Sequence, residues 1–567
     1  MSHEKKVLVL GLDGATLDLI IPWVSMGKLP VFAKIMQEGV FGELESTVHP
    51  MSSIAWPSFM TGMNPGKHGI FDVTEQASHS YEITFTSGAS RFGKTMWKIL
   101  SDAGKKVGII NVPMTYPPEE VNGYLIAGMD SPGIDSNFVY PKELWDEIRK
   151  NVGEYVIEHG NPMGNKTLDE FAKDIYHSLD RRYALFNYLR QNYPTDLSVV
   201  VFVAPDRSHH FFWKYMEDEK LNKGKSGSSK YHDVIPNVYQ RLDTLIGEVI
   251  AGLDSNTVLF IMSDHGAGPI RKLVNLNAWL NSQGLLRLKD KTDGKVHPWE
   301  QAKKIPFVIA KAGWKMLRQY LPDSYRARLR RLLPRTKDRF ITYLFLSRID
   351  WSLTKAYSTG YFGDIRINLK GREPQGIVNP GSEYEDLRQE IITRLESLRD
   401  PDTGEKMVDK AYKREELYHG DQVYKASDLI IKWQDYRYKS RINLEMEEGS
   451  SASKIIIDPA KDSKISSIHK MNGIFMAYGR DIKRGVEISG AKIIDLAPTI
   501  LYMMDKPIPD SMDGKVLTDI LREDFLNKNP IRYRKTEKGD ISRQGPAYTD
   551  DEADKVRERL QGLGYIE

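Results

Sequence analysis

The sequence predicts an α/β protein with a mostly parallel central β-sheet flanked by helices. Short runs of apolar and β-branched residues recur along the chain and are typical of strands buried on both faces. They are VLVLGLD (7–13), KVGIINVP (106–113), LSVVVFVAPD (197–206), TVLFIMSDHG (257–266), SDLIIKW (427–433) and GIFMAYG (473–479). Segments with helical periodicity, such as 142–151 and 235–252, lie between these runs, and this alternation favours the α/β class.

A chain of 567 residues is too long for one ordinary hydrophobic core. We expect the main domain to be built from residues 1–280 and 351–525. Residues 281–350 have a different pattern, because a polar, loop-like start is followed by a basic stretch with helical periodicity. The sequence therefore predicts an inserted helical cap between the two parts of the main domain.

The last segment, residues 526–567, is predicted to be a polar tail that is loosely ordered up to residue 546. Thr549 and Glu552 match a capping box, and Gly562 can end the helix that follows. We therefore expect the tail to end in a short helix.

Charge and cysteine content exclude several classes of function. The chain has 80 Lys and Arg against 77 Asp and Glu, and a net charge of +3 gives no argument for binding nucleic acid polymers. The basic residues of the insertion are best explained as a solvent-exposed face. Contact with a membrane surface is the alternative explanation. The absence of cysteine excludes disulfides, thiolate zinc sites and cysteine nucleophiles. Any metal must therefore be held by Asp, Glu and His.

The N-terminal stretch MSHEKKVLVLGLDG lacks the arrangement of a signal peptide. No window approaches the ~18–20 uncharged apolar residues that span a bilayer. A cytoplasmic protein is the resulting expectation, and the sequence gives no indication of its oligomeric state.

Acidic residues follow three of the predicted strands, namely Asp13, Asp206 and Asp264. In open α/β sheets, ligands bind outside the carboxyl ends of the strands. These three side chains are therefore expected to converge, although an Asp at a strand end also serves ordinary turns.

Histidines accompany two of these acidic residues. Asp206 and His210 are four residues apart, which suits a shared metal ion if a helix begins there, and the adjacent His209 is an alternative ligand. Asp264 and His265 are neighbours and both reach one ion only where the strand is ending.

A further histidine, His469, precedes the last predicted strand and completes the set. Together these Asp and His residues suffice for two divalent ions. Two ions ~3.5–4 Å apart clamp the attacking and leaving oxygens of an in-line phosphoryl displacement. Zinc suits this mixture of ligands, and manganese also accepts it.

The stretch MSSIAWPSFMTG (51–62) offers a nucleophile for such a site. A serine at the N-terminus of a helix gains from the helix dipole and from free backbone N–H groups. Ser52 and Ser53 both fit this description, and an ordinary N-cap serine is the alternative.

The ordered set of motifs resembles the type I phosphodiesterase and nucleotide pyrophosphatase branch of the alkaline phosphatase superfamily. The matching segments, which span residues 7–520, are LDG (12–14), SSIAWPSFMTGMNPGKHGIFD (52–72), PDRSHH (205–210), SDHG (263–266), SIHKMNGIF (467–475) and DLAPTILYMMDKPIPDSMDGKVL (495–517). The resemblance implies an alkaline-phosphatase-like core. It also implies a metal-dependent hydrolase of phosphodiester or pyrophosphate bonds in small phosphoric esters.

The resemblance further implies a role for each site residue. One metal would be bound by Asp13, Ser52, Asp264 and His265, and the other by Asp206, His210 and His469. Ser52 would attack phosphorus and form a covalent phosphoseryl intermediate. It is chosen over Ser53 because it lies nine residues before Thr61, the interval at which the family's nucleophile lies. Ser53 would then begin the helix.

One position departs from the family pattern. Nucleotide pyrophosphatases have an asparagine three residues after the nucleophile, and here that position is Ala55. Lys67, Asn111 and Arg207 are candidate replacements. The middle of the chain, with INVPMTYPPE (110–119), GMDSPG (128–133) and INLKGREPQGIV (367–378), is closer to predicted prokaryotic phosphodiesterases.

Other functions remain open at this level. Within the superfamily they are a phosphomonoesterase, a phosphoglycerate mutase and a phospho-group transferase. A different class is a non-catalytic protein that binds an anion, glycan or lipid on the same fold.

Overall fold

The computed structural model of the protein describes residues 5–158, 166–217, 230–289, 348–441, 455–458, 465–537 and 548–562. Most of the predicted cap, residues 290–347, lies outside the described residues, so its helical structure stays a prediction. The residues beside this stretch, Leu288 and Ile349, pair in an isolated antiparallel bridge. The chain thus leaves and re-enters the described structure at neighbouring points.

The described strands, in chain order, are β1 (Lys6–Leu12), β2 (Val40–Glu45), β3 (Thr74–Gln76), β4 (Ile83–Phe85), β5 (Val107–Ile110), β6 (Gly123–Ile126), β7 (Val139–Tyr140), β8 (Leu197–Phe202), β9 (Thr257–Met262), β10 (Gly266–Pro269), β11 (Lys272–Asn275), β12 (Ala356–Thr359), β13 (Asp364–Ile367), β14 (Val408–Lys413), β15 (Leu429–Trp433), β16 (Tyr438–Arg441), β17 (Ile456–Ile457), β18 (Ser467–Lys470), β19 (Asn472–Tyr478), β20 (Val486–Lys492), β21 (Ile508–Pro509) and β22 (Tyr533–Arg534). The described α-helices are Leu17–Ser25, Pro30–Glu38, Ser52–Thr61, Pro65–His68, Met96–Asp102, Leu144–Asn151, Leu168–Asn192, Ala204–Glu217, Val234–Ala251, Leu276–Ser282, Ser382–Glu396, Arg414–Leu417, Leu496–Met503, Glu523–Lys528 and Asp550–Gly562.

Nine of the described strands form the central sheet, in the order β20-β2-β19-β9-β1-β8-β5-β6-β7. Only β19 and β7 run antiparallel to their neighbours in this sheet. Helices flank the sheet, so the predicted α/β class with a mostly parallel sheet is confirmed.

The middle of the sheet consists of β9, β1 and β8, which run parallel. Val9 of β1 lies in register with Val199 of β8 and Phe260 of β9, and all three side chains are fully buried. Strands covered by helices on both faces need apolar residues at every position, which is why these segments show continuous apolar runs. The register also brings the carboxyl ends of the three strands to the same edge.

Five of the six predicted strands belong to this sheet, and the sixth does not. The run at 427–433 forms β15, which lies in a separate antiparallel sheet of order β12-β13-β15-β14. Its apolar residues are buried there as fully as in the central sheet, so composition alone does not tell which sheet a strand joins.

The helices predicted at 142–151 and 235–252 are confirmed as Leu144–Asn151 and Val234–Ala251. Among the described residues, no single helix has the length and apolar character needed to cross a membrane. The helices Leu17–Ser25 and Pro30–Glu38 have this length and apolar character only when taken together, and a bend of 100° separates them.

The described parts of the tail contain regular structure where a loose segment was predicted. Glu523–Lys528 is helical, and β22 pairs in parallel with β21. The predicted capping box is confirmed, because the Thr549 backbone N–H donates to Glu552 and the Glu552 N–H donates to Thr549 Oγ1. Asp550–Gly562, here named the C-terminal helix, follows as predicted.

Candidate active site

The three predicted acidic residues lie together at the carboxyl edge of the central strands. Asp13 directly follows β1, and Asp264 lies two residues beyond β9. Asp206 is in the first turn of helix Ala204–Glu217, which begins just after β8. All three side chains are at most 2% exposed, and their convergence follows from the parallel order of the strands.

Gly14 allows the end of β1 to approach the helix that carries Asp206. Its φ of +70° is a conformation that side chains other than glycine rarely adopt, and a Cβ atom at this position would lie 3.0 Å from Asp206 Cβ. The Gly14 backbone N–H also donates to Asp264 Oδ1 at 3.3 Å. The LDG motif therefore holds two of the three carboxylates in place.

A first group of potential ligand atoms surrounds His265 Nε2. Ser52 Oγ lies 3.2 Å from it, Asp264 Oδ2 3.5 Å and Asp13 Oδ1 3.6 Å. Ser52 Oγ also donates to Asp13 Oδ1 at 3.5 Å. Ligand atoms about 2.0–2.1 Å from a tetrahedral zinc ion lie about 3.3 Å apart, so these distances match the expected spacing.

A second group contains Asp206, His210 and His469. Asp206 Oδ1 lies 3.2 Å from His210 Nε2 and 3.3 Å from His469 Nε2, and the two ring nitrogens are 3.0 Å apart. The ring of His265 stacks on that of His469 with centroids 3.6 Å apart, so the two groups adjoin. His209, the alternative ligand, faces Tyr239 Oη at 3.2 Å.

Backbone carbonyls fix the orientation of the three histidine rings. Nδ1 of His210 faces the Ser467 carbonyl at 3.2 Å, Nδ1 of His265 faces the carbonyl of Gly266 at 2.9 Å, and Nδ1 of His469 faces that of Pro50 at 2.9 Å. A carbonyl accepts a hydrogen bond, which places the proton on Nδ1 and the lone pair, the part of the ring that binds a metal ion, on Nε2.

The carboxylates strongly perturb one another. Burial raises the pKa of Asp13 well above its usual value, and the charges of Asp264 and Asp206 raise it further. Burial raises the pKa of Asp264 to about 7. Burial acts on Asp206 in the same sense, but the facing His210 and the neighbouring Arg207 outweigh it and hold the pKa of Asp206 well below its usual value.

Two oxygens of the cluster, Asp206 Oδ1 and Asp264 Oδ2, are buried and have no hydrogen-bond partner among the described residues. A buried carboxylate oxygen is costly without a compensating donor or cation. Divalent cations provide that compensation, and the Asp oxygens and His nitrogens present are suitable ligands. The residues therefore fit bound metal ions, and two overlapping candidate ligand groups are found here: Asp13, Asp264 and His265, and Asp206, His265 and His469.

The helix Ser52–Thr61, here named the Ser52 helix, begins one residue earlier than predicted. Met51 occupies the N-cap position and makes no side-chain capping bond, so Ser53 neither begins nor caps the helix. Ser52 and Ser53 are 2% and 5% exposed. Among the described residues, the Ser53 hydroxyl has no hydrogen-bond partner, which the sequence did not reveal.

Two of the three candidate replacements for the family asparagine are engaged elsewhere. Lys67 forms an ion pair with Asp513 at 2.5 Å. The Asn111 amide donates to the Val201 carbonyl and accepts from Tyr155.

The third candidate, Arg207, contacts the site directly. Its Nη1 donates to Asp206 Oδ2 at 2.5 Å, and its Nε and Nη2 each donate to Glu158 at 3.0 Å. All three side chains are almost completely buried. Sequence analysis missed Glu158, because 49 residues separate it from Arg207 and no local motif marks the pair.

The chain is similar to one known protein family in sequence and to several solved structures. The sequence matches the model of the family described as type I phosphodiesterase / nucleotide pyrophosphatase over residues 7–452. Human ectonucleotide pyrophosphatase / phosphodiesterase 5 is a similar solved structure, with 12% identity and a TM-score of 0.48 over 92% of this chain and 100% of that chain. An inactive murine ectonucleotide pyrophosphatase / phosphodiesterase 5 in complex with AMP gives 13% identity and a TM-score of 0.48, again over 92% and 100%.

No curated protein matches the sequence. The family match nevertheless covers most of the chain, including Asp13, Ser52, Asp206 and Asp264, and it confirms the resemblance drawn from the motifs. The chain belongs to the type I phosphodiesterase/nucleotide pyrophosphatase family of phosphoric ester hydrolases.

Proposed function

We propose that the protein hydrolyses phosphodiester or pyrophosphate bonds at a two-metal site through a covalent phosphoseryl intermediate on Ser52. The observation that carries this proposal is the position of Ser52 Oγ. It lies 3.2 Å from His265 Nε2 and 3.5 Å from Asp13 Oδ1, within a buried group of potential metal ligands.

Seven residues would hold the metal ions, for which zinc is the favoured element and manganese the alternative. They are Asp13, Ser52, Asp264 and His265 for one ion, and Asp206, His210 and His469 for the other. Bound divalent ions would lower the pKa of the serine hydroxyl and neutralise charge on the reacting phosphoryl group.

The chain's own residues define the reaction. Ser52 Oγ attacks phosphorus in line, the bond to the leaving oxygen breaks, and the proton of Ser52 ends on the released group. Water then cleaves the phosphoserine and restores the free hydroxyl. The position of Ser52 at a helix N-terminus favours the negative charge that develops there.

Ser53 donates to the phosphoryl group the hydrogen bond that an asparagine donates in nucleotide pyrophosphatases of the family. Its hydroxyl is buried beside Ser52, lines the same cavity and is unpartnered among the described residues. Because Ala55 offers no donor, the Ser53 hydroxyl is the neighbouring group placed to donate to a phosphoryl oxygen. Arg207 acts through Asp206, which it holds by an ion pair, and Glu158 in turn positions Arg207.

The direct test compares hydrolysis of bis-p-nitrophenyl phosphate and p-nitrophenyl phosphate after chelation and reloading with zinc or manganese. We expect a metal-dependent preference for the diester, and mass spectrometry of quenched protein should find the phosphoryl adduct on the peptide containing Ser52. Ser52→Ala should abolish both signals while metal content is retained. Ser58→Ala, which removes another buried serine of the same helix, is the matched control.

The alternatives give different results in the same test. A preference for the monoester would indicate a phosphatase, mutase or transferase of the superfamily. If neither ester is hydrolysed with either metal and no adduct forms, a non-catalytic binding protein is favoured. A Ser52→Ala protein with an undiminished rate would refute the assignment of the nucleophile.

A further inference from the structure

The C-terminal helix and the candidate nucleophile line the same cavity. Val556 and Leu560 are 3% and 6% exposed, and with Tyr548 they line the cavity that has Ser52 and Ser53 in its wall. A segment far from Ser52 in the sequence thus forms one side of a cavity at the candidate nucleophile.

The helix is docked by specific polar contacts on the loop of residues 129–132, here named the docking loop. Four successive backbone carbonyls of this loop accept hydrogen bonds from the C-terminal segment. Arg559 donates to the carbonyls of residues 129, 131 and 132, and Tyr548 donates to that of Asp130 at 2.9 Å.

Two further contacts hold the helix beside the docking loop. Glu552, which caps the helix, also accepts a short hydrogen bond from Tyr116. Lys555 pairs with Asp135 at 2.6 Å, and both of these side chains are largely exposed. The helix is therefore anchored by hydrogen bonds to the backbone of the docking loop and to Tyr116, and by one exposed ion pair, and water can take over these hydrogen bonds when the helix moves.

With the helix docked, the cavity beside Ser52 has a volume of about 30 Å³. That is room for one or two water molecules. Pockets that bind small molecules are larger, about 300–1,000 Å³. An ester group of a substrate therefore enters this cavity only if a wall moves.

The walls that face Ser52 are mainly apolar. Val73, Met114 and Met129 come from the main domain, and Val556 and Leu560 come from the C-terminal helix. Aliphatic and thioether side chains bind apolar groups, and methionine adapts its shape to them.

We propose that the C-terminal helix is a displaceable wall of the substrate pocket, and that Val556 and Leu560 select phosphodiesters in which one ester group is aliphatic. The docked helix excludes substrate, and an incoming ester displaces it and packs its alkyl group against these two side chains. This inference rests on the proposed function, since it places the reacting phosphorus beside Ser52.

A cross-link tests whether the helix must move. The chain has no native cysteine, so the double variant Lys555→Cys with Asp135→Cys presents two thiols at an exposed contact. A short bismaleimide should join them and hold the helix docked. We expect kcat/KM for bis-p-nitrophenyl phosphate to fall about tenfold or more in the metal-loaded, cross-linked protein. The two single variants treated with the same reagent are the controls, and an unchanged rate after complete cross-linking would overturn the proposal.

Hydrogen exchange provides a readout that does not depend on turnover. In zinc-loaded Ser52→Ala protein, amides of residues 550–562 should exchange faster once bis-p-nitrophenyl phosphate is bound. Equal exchange with and without the ester overturns the displaceable wall even if the protein hydrolyses diesters. Faster exchange in a protein that hydrolyses no diester with either metal would instead count against the proposed function and leave the wall supported.

Selectivity is tested with p-nitrophenyl alkyl phosphates whose alkyl group grows from methyl to octyl. We expect kcat/KM to rise with chain length, and Leu560→Ala to weaken that dependence about tenfold at the long end. Glu558→Ala, on the exposed side of the same helix, is the matched control. A rate that is independent of chain length, or equally affected by both variants, would overturn the role of Leu560.

Discussion

Replacing Glu158 by Gln removes one charge from a completely buried ion pair next to the candidate metal ligands. Glu158 and Arg207 are each 1% exposed and share two hydrogen bonds of 3.0 Å. A hydrogen bond to a charged group contributes about 1.5–3 kcal/mol, so the two together contribute about 3–6 kcal/mol. Breaking a buried pair costs about 3–5 kcal/mol when the remaining charge stays buried without a partner. Arg207 keeps Asp206 as a second partner, so we expect Glu158→Gln to lower the free energy of unfolding by about 3 kcal/mol, the lower end of this range.

Urea titration of the metal-free protein measures this loss, and coincident circular dichroism and tryptophan fluorescence curves check that unfolding is two-state. The metal-loaded variant should also lose about 10–100-fold in kcat/KM or in metal affinity, because Arg207 positions the ligand Asp206. Glu154→Gln, an exposed substitution in the same segment, is the control for removing a carboxylate. A loss of less than about 1 kcal/mol, equal to that of the control, would refute the reasoning.

Three further predictions concern the hydroxyl beside the nucleophile, the metal ions and a buried carboxylate. Ser53→Ala should lower kcat for the diester about 100-fold with little change in KM; a rate equal to that of Ser58→Ala would contradict its role as a donor. Zinc at 100 times its dissociation constant should add about 2.7 kcal/mol of stability per site in urea titrations; His469→Ala should remove part of this gain, and an unchanged gain would contradict its place among the ligands. Burial alone would raise the pKa of Asp428, but Arg372 and neighbouring arginines lower it from 3.8 to about 2. The ionised Asp428 therefore contributes about 2 kcal/mol of stability, which is fully present above pH 4 and is lost as the pH falls toward 2. The free energy of unfolding of Asp428→Asn should lack this pH-dependent loss. The same dependence of unfolding on pH in both proteins would contradict the assignment.

The sequence predicted that these acidic side chains converge, because their convergence depends on local rules. Asp13, Asp206 and Asp264 follow apolar runs, and parallel strands bring their ends to one edge whatever the rest of the fold does. The four-residue interval of Asp206 and His210 worked because a helix does begin there. Their proximity in the structure supports the proposed ligand roles.

Long-range contacts were not predictable in the same way. The partner of Arg207 lies in a segment with no motif, and the strand at 427–433 has the same apolar pattern as strands of the central sheet. The tail offered a capping box but no sign of where its helix would dock, since docking depends on backbone carbonyls that any sequence carries. The Ser52 helix begins one residue earlier than predicted, because backbone geometry and not a serine side chain sets its start.

The position of His469 in the chain has a consequence for how the protein is made. This residue lies 259 positions after His210, and the strand that carries it pairs with the strand directly after His265. A ribosome that has reached residue 468 has already passed Asp13, Ser52, Asp264 and His265, so the residues proposed for the first ion are made before the second set is complete. A nascent chain is therefore unable to assemble both proposed ligand groups before His469 has been synthesised and its strand has paired.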